Sequence, residues 1–182
     1  PGVFNVLLGR GSDVGDETAT SAGIAKISST GSTQTGKLIA RAGIETMKRV
    51  SLALSGKSAT LVLDDADLAA TLPLALNAAF MNNGQACVAG TRLLIPRAHM
   101  KAAVELVRVA VAALRVGDPR DPATAVGPLA SQAQFDRVQH FIRRGLAQGA
   151  TLVAGGEGRP DGFERGWFVR PTVFAEVRND MD

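Results

Sequence analysis

Short apolar runs alternate along the chain with longer segments in which apolar residues recur every three or four positions. The first pattern is typical of buried strands and the second of amphipathic helices. The predicted strands cover residues 3–8, 25–29, 49–54, 59–63, 92–96, 151–154 and an extended stretch at 168–174. The predicted helices begin near residue 36, run through 68–81, span about 99–116 and run through 131–148. Because strands and helices alternate, the pattern favours an α/β fold with parallel sheets flanked by helices.

Two of the predicted helices are preceded by residues that favour a helix start. The sequence Thr-Gly-Ser-Thr at 30–33 predicts a turn with capping hydroxyls before the helix that begins near Gly36. The acidic segment at 64–67 supplies a cap and negative charge for the helix through 68–81. Pro73 lies inside that helix and predicts a kink or a later start, since proline has no amide hydrogen to donate.

Composition and charge narrow the class of protein. A chain of 182 residues, 46% hydrophobic, can bury a core of one domain or a little more. The net charge of +3 comes from dispersed basic residues, and with 4% aromatic residues the chain lacks the pattern of a nucleic-acid-binding surface. No apolar run reaches membrane-spanning length, and the N-terminal residues do not resemble a secretory signal. With a single cysteine, these features predict a cytoplasmic protein without disulfides.

The ends of the sequence and its histidines give two smaller expectations. The chain begins with Pro1 rather than methionine, which is expected of a piece of a longer protein and equally of a processed N-terminus. His99 and His140 stand alone on helical stretches without the spacing of metal ligands, so no metal site is expected.

Cys87 is the first candidate for chemistry. It lies in the sequence Asn-Asn-Gly-Gln-Ala-Cys-Val-Ala-Gly-Thr-Arg at 82–92, where small residues would let a substrate carbonyl approach a thiolate. A lone cysteine in an arbitrary cytosolic protein is more often a small buried hydrophobe. The residue type alone therefore favours the structural role, and the surrounding motif decides between the two.

The turn at 30–36 is the second candidate. Glycines let a backbone approach a pyrophosphate, while hydroxyls and a helix N-terminus offer hydrogen-bond donors to it. On spacing alone, a well-capped turn between a strand and a helix explains the pattern better.

The motif at 82–92, preceded by Ser-Gly-Lys-Ser at 55–58 and Asp-Ala-Asp-Leu at 65–68, resembles the nucleophile region of the aldehyde dehydrogenase superfamily. The resemblance covers nearly the whole chain and implies a three-layer αβα fold. In this reading residues 1–54 form the last part of a Rossmann-like cofactor domain and 55–182 the first part of the catalytic domain. It further implies NAD or NADP as cofactor, an aldehyde as substrate, and a homodimer or homotetramer in the full-length protein.

The resemblance also assigns roles to individual residues. Cys87 would attack the aldehyde to form a thiohemiacetal, from which hydride leaves to the nicotinamide. The backbone of Leu54 matches a position that borders the nicotinamide ring. Gln134 matches a glutamine that reaches the nicotinamide-side ribose, although a solvent-facing helix glutamine is about as good an explanation.

In the turn, the resemblance to the family's G-S-T-x-x-G sequence nominates Ser32 as a phosphate contact. Gly31 and Gly36 would shape that turn.

One departure from the family pattern concerns Ala53. The family's typical sequence L-E-L-G-G-K-S contains a glutamate that activates water to release the acyl group, whereas residues 52–58 here are Leu-Ala-Leu-Ser-Gly-Lys-Ser. Alanine cannot accept a proton, so the resemblance implies a hydrolysis step without its usual base. Two alternatives therefore stay open: transfer of the acyl group to a thiol such as coenzyme A, and a non-catalytic homologue or fragment with a binding role. The chain also lacks the family's E-x-F-G-P motif, as expected for a partial chain.

Overall fold

The computed structural model describes residues 2–181, which divide into two compact units, one ending at Gly56 and one beginning at Lys57. The helices are α1 (Asp16–Thr20), α2 (Thr33–Ile44), α3 (Leu68–Phe80), α4 (Met100–Ala112) and α5 (Gln132–Ala147). The strands are β1 (Lys26–Gly31), β2 (Arg49–Leu54), β3 (Ala59–Leu61), β4 (Arg92–Leu94), β5 (Thr151–Ala154) and β6 (Val173–Ala175). The described residues contain no helix with the length and apolar character needed to cross a bilayer. The α/β fold expected from the sequence is confirmed.

In the first unit, β1 and β2 form a parallel pair with Gly31 opposite Leu54. Helix α2 packs on the face of the pair that carries Leu52 and Leu54, both half-buried. Gly36 permits this close approach, because a Cβ at that position would lie 2.8 Å from Cδ2 of Leu54. The carboxyl end of the strand pair and the start of α2 therefore meet at one edge of the unit.

Lys48 fixes α1 to the start of β2. The side chain is only 9% exposed, and its Nζ donates to the backbone carbonyls of Ser21, at 2.5 Å, and Ile24, at 2.9 Å. A buried ammonium group needs such partners, since an unsatisfied charge in the interior is costly.

In the second unit, β3 pairs in parallel with β4, and β5 pairs antiparallel with β6. The core lies where α3 and α4 pack together with β5. Its buried residues are Leu72, Leu76, Ala103, Val107, Val111 and Val153. A smaller apolar cluster of Leu129, Phe135 and Val169 lies beneath the start of α5.

Three sequence-based expectations about secondary structure are wrong. Residues 3–8 form no strand, and side chains such as Val3, 99% exposed, and Leu8, 91% exposed, have no partner strand among the described residues to cover them. The pair β5–β6 is antiparallel because no helix intervenes to return the chain in the parallel direction. Of the kink or later start expected from Pro73, the later start is wrong, since Asp67 caps α3 at Leu68 by accepting from the amides of Ala69 and Ala70.

Candidate active site

Cys87 lies exposed in a turn between a 3₁₀ turn at Met81–Gly84 and β4. Its neighbour Ala89 is 3% exposed, and the amide of Ala89 donates to the carbonyl of Ala86 at 3.1 Å. The thiol is thus accessible, while the chain immediately after it is anchored in the interior.

The backbone before Cys87 turns through three consecutive left-handed residues. Asn82 has φ 49° and ψ 41°, Asn83 has φ 59° and ψ 31°, and Gly84 has φ 72°. Asparagine and glycine are the residues that adopt this conformation most readily. The sequence Asn-Asn-Gly therefore favours a preset reversal of the chain at the end of α3.

Two side chains tie this reversal to the segment 127–130. Oδ1 of Asn83 accepts from the amide of Gly127 at 2.6 Å, and its Nδ2 donates to the carbonyl of Pro128 at 3.1 Å. Oε1 of Gln85 accepts from the amide of Ala130 at 3.0 Å. The N-terminal side of the cysteine turn is thereby bonded to the chain that leads into α5.

The C-terminal side of the turn is held by β3 and the residues before it. Oγ1 of Thr60 donates to the carbonyl of Gly90 at 3.4 Å. Arg92 donates from Nε to the carbonyl of Lys57 at 2.9 Å and from its amide to the carbonyl of Ser58 at 3.2 Å. Cys87 therefore occupies a short exposed turn that is anchored on both sides.

The predicted cofactor turn lies at the carboxyl edge of β1 and β2. Ser32 caps α2 by accepting from the amide of Thr35 at 3.1 Å, and its hydroxyl also lies 3.0 Å from that of Thr35. Gly31, Gly36 and Leu54 adjoin the same edge through the strand register and the packing of α2. Ligands of parallel α/β sheets bind at this edge, and the first-turn amides of a helix have no intrahelical partner.

Ala53 lies next to this edge on the other face of β2. It is exposed and pairs in register with Thr30, while its neighbours Leu52 and Leu54 face α2. The methyl side chain brings no proton acceptor to this position.

Gln134 lies exposed on the first turn of α5, where its amide donates to Oγ of the capping Ser131 at 3.3 Å. The structure brings the other four cofactor candidates together in the first unit. It places Gln134 in the second unit with Cys87, joined to the cysteine turn through residues 127–130.

Asp118 and Arg120 form an exposed ion pair. The pKa of Asp118 is lowered to about 2, chiefly by the hydrogen bond from the side chain of Arg120, in the loop after α4. Within residues 2–181 no three histidine, cysteine or acidic side chains are grouped so as to hold a metal ion.

The sequence pattern did not reveal the bonds made by Asn83 and Gln85. The Asn-Asn-Gly sequence signals the left-handed turn, but nothing in it identifies residues 127–130 as the partners. Thr60 carries no local signal at all, since its role depends on the close approach of Gly90 to β3.

This chain is similar to known proteins over nearly its whole length. The model of the aldehyde dehydrogenase family matches residues 1–182. A 3-succinoylsemialdehyde-pyridine dehydrogenase from Pseudomonas sp is 43% identical over 181 residues, which are 100% of this chain and 38% of that protein. The chain thus spans a little over a third of the length of such relatives.

Two solved structures are similar in both sequence and backbone. A cysteine-to-alanine variant of aldehyde dehydrogenase C from Pseudomonas syringae, in complex with NAD+ and octanal, matches with a TM-score of 0.96 and 45% identity, over 100% of this chain and 37% of that one. An aldehyde dehydrogenase from Mycobacterium tuberculosis in complex with NAD+ matches with a TM-score of 0.86 and 44% identity, over 90% of this chain and 34% of that one.

Proposed function

The chain belongs to the aldehyde dehydrogenase family, and we propose that the protein containing it oxidises an aldehyde to a carboxylic acid with NAD+ or NADP+, using Cys87 as nucleophile. The unit ending at Gly56 would contribute to the cofactor site and the unit beginning at Lys57 would carry the nucleophile. The family resemblance also supports a homodimer or homotetramer for the complete protein.

The proposed chemistry begins at Sγ of Cys87. The thiolate forms a bond to the aldehyde carbon, and the carbonyl electron pair moves to oxygen to give a thiohemiacetal. A bound nicotinamide would supply the acceptor for the hydride that leaves this carbon, and a thioester would remain on Cys87. Water attack at the thioester carbon then releases the carboxylic acid and restores the thiol.

The edge at 31–36, which is exposed at residues 32–35, fits a dinucleotide phosphate. The start of α2 offers unpaired amides and the dipole of a 12-residue helix, together with the exposed hydroxyl of Ser32. A Cβ at Gly31 would meet no atom within 4 Å, so there is room for a ligand beside the strand end. Lys37, exposed one turn further along α2, adds positive charge on the same helix.

The single observation that carries the proposal is the setting of Cys87. An accessible thiol on a turn anchored at both ends is what a nucleophile requires, whereas a structural cysteine would be buried. The P. syringae relative bound to NAD+ and octanal, in which a cysteine was replaced by alanine, supports this assignment.

The test is a pre-steady-state measurement of NADH formation by the complete protein with a panel of aldehydes. We expect a burst of NADH and an acyl adduct on Cys87 detected by intact mass spectrometry. Cys87→Ser is expected to abolish both while leaving NAD+ binding intact. A folded protein that binds NAD+ but gives neither a burst nor an adduct with any aldehyde would refute the proposal and favour a non-catalytic role.

A second candidate for the final step follows from Ala53. With no carboxylate at this position, the thiolate of coenzyme A could attack the thioester carbon, giving acyl-CoA and releasing the Cys87 thiolate. Product analysis separates the two routes: acyl-CoA formed with coenzyme A, and little acid without it, selects thiol transfer. Acid formed at the same rate with and without coenzyme A selects hydrolysis.

A further inference from the structure

We propose that Asn83 is a positioning residue that sets the place of Cys87 relative to α5. The inference rests on the proposed function, because it assigns Asn83 a part in the chemistry of that nucleophile. Asn83 acts only through the backbone that it holds and not by contact with the substrate or the thiol.

The side-chain amide of Asn83 both accepts and donates a hydrogen bond. Its oxygen accepts from Gly127 at 2.6 Å and its nitrogen donates to Pro128 at 3.1 Å, so two successive peptide groups are fixed by one planar amide. Gly127 is also close enough that a Cβ there would lie 3.5 Å from Oδ1 of Asn83. The segment 127–128 therefore packs directly against the amide.

The neighbouring asparagine makes no comparable contact. Asn82 shares the left-handed conformation, but its exposed side chain makes no hydrogen bond to the residues that the structure describes. The backbone requirement of the turn is thus common to both residues, whereas the bond to 127–128 belongs to Asn83 alone. This difference provides a matched pair for experiment.

The bonded segment leads directly to α5. Gln85 adds a third bond to the amide of Ala130, the next residue Ser131 caps the helix, and Gln134 lies on its first turn. Cys87 is two residues from Gln85 along the chain. A short path of covalent bonds and three hydrogen bonds therefore connects the nucleophile with the helix proposed to contact the cofactor.

Such a path matters because hydride transfer needs the donor carbon and its acceptor in near-attack geometry. A displacement of about 1 Å costs on the order of 10²-fold in rate. Loss of the Asn83 amide removes two of the three hydrogen bonds between the turn and the chain leading into α5, while the thiol itself remains present and exposed.

The experiment compares Asn83→Gly with Asn82→Gly in the complete protein. Glycine accepts the positive φ at both positions, so each variant loses a side chain at an equal backbone cost. We expect Asn83→Gly to lower the NADH burst rate about 10²-fold at saturating aldehyde, with KM nearly unchanged. Asn82→Gly is expected to stay within about twofold of wild type. Equal burst rates in the two variants would overturn the proposal.

A second readout does not depend on aldehyde oxidation. With two of its three hydrogen bonds to residues 127–130 lost, the turn opens Cys87 to reagents from more directions, so its alkylation by iodoacetamide should rise at least about threefold in folded Asn83→Gly and stay unchanged in Asn82→Gly. If the wild-type protein gives no NADH burst, the proposed function is refuted. The alkylation rates of the two variants then test the positioning role by themselves. Equal alkylation rates in both variants then refute it.

A conservative pair covers the case in which Asn83→Gly does not fold. In Asn83→Asp, one carboxylate oxygen still accepts from the amide of Gly127, but the other oxygen takes the place of the Nδ2 donor and lies against the carbonyl of Pro128. Its burst rate should fall at least about tenfold below that of Asn82→Asp. Indistinguishable rates in the two aspartate variants contradict the inference.

Discussion

Replacing Gly90 by alanine tests the anchor on the C-terminal side of Cys87. A Cβ at Gly90 would overlap Oγ1 of Thr60 and lie 3.5 Å from its Cβ. Thr60 is β-branched, half-buried in β3 and bonded to the carbonyl of Gly90, so its side chain has little freedom to rotate away. The backbone at Gly90 lies outside the left-handed region, so alanine adds no backbone strain there and its effect on the folded state is steric.

The size of the effect follows from two opposing contributions. Overpacking of this kind costs about 1–3 kcal/mol, whereas replacing glycine by alanine restricts the unfolded chain and returns about 0.4–1 kcal/mol. We expect Gly90→Ala to reduce the free energy of unfolding by about 1–2 kcal/mol. Thr60→Ala loses one long hydrogen bond, worth about 0.5 kcal/mol.

The double variant is the decisive measurement. With Thr60→Ala in place, only an ordinary 3.5 Å contact remains, so the combined loss should be smaller than the sum of the single losses by the relieved overpacking cost, about 1–3 kcal/mol. Urea midpoints of unfolding measure the stabilities, and the NADH burst rate reports on the position of Cys87. Gly23→Ala serves as control, because its Cβ would meet only Oγ of Ser21, at an ordinary contact distance of 3.7 Å. Additive losses, or equal losses in Gly90→Ala and Gly23→Ala, would show that Gly90 is not held against Thr60.

Two further predictions concern single charged groups. Ala53→Glu is expected to raise steady-state acid production by about 10²-fold or more without changing the burst rate, because it supplies the missing base. Ser51→Glu, on the same exposed face of β2, should not raise acid production. Equal turnover in the two variants would contradict the role of position 53 as the site of the base. Arg120→Gln should raise the pKa of Asp118 from about 2 towards 3.8, as measured by NMR titration, and an unchanged pKa would contradict the assignment of its cause. Because the folded-state pKa is the lower one, any stabilisation from this pair is present above about pH 4 and is lost as pH falls towards 2.

The sequence pattern predicted the local elements better than their pairing. Helix α2 begins at the predicted turn, because the capping preference of Ser32 is a property of a few adjacent residues. The direction of β6 and the missing strand at 3–8 depend on partners distant in sequence, which the alternation of apolar residues does not specify.

The candidate site likewise has some features that the sequence predicts and others that depend on contacts distant in sequence. The exposed position of Cys87 could be expected from its small neighbours and from the family motif. The bonds from Asn83 to residues 127–128 cross more than forty positions of sequence and become visible only once the chain is folded. Ala53 is the converse case, since its departure from the family pattern is evident in the sequence, while its structure shows an ordinary exposed strand residue.

The hydrogen bonds made by Asn83 can also be lost by chemical ageing of the protein. Asn83 is followed by Gly84, and asparagine side chains are among the thermolabile groups of proteins. Deamidation would replace the Nδ2 donor with an oxygen and turn its bond with the carbonyl of Pro128 into a repulsion. Hydrolysis of a single amide, without any change to Cys87 itself, would thus remove one of the three hydrogen bonds between the nucleophile turn and residues 127–130. The age of a preparation, and not only its sequence, would then affect its activity.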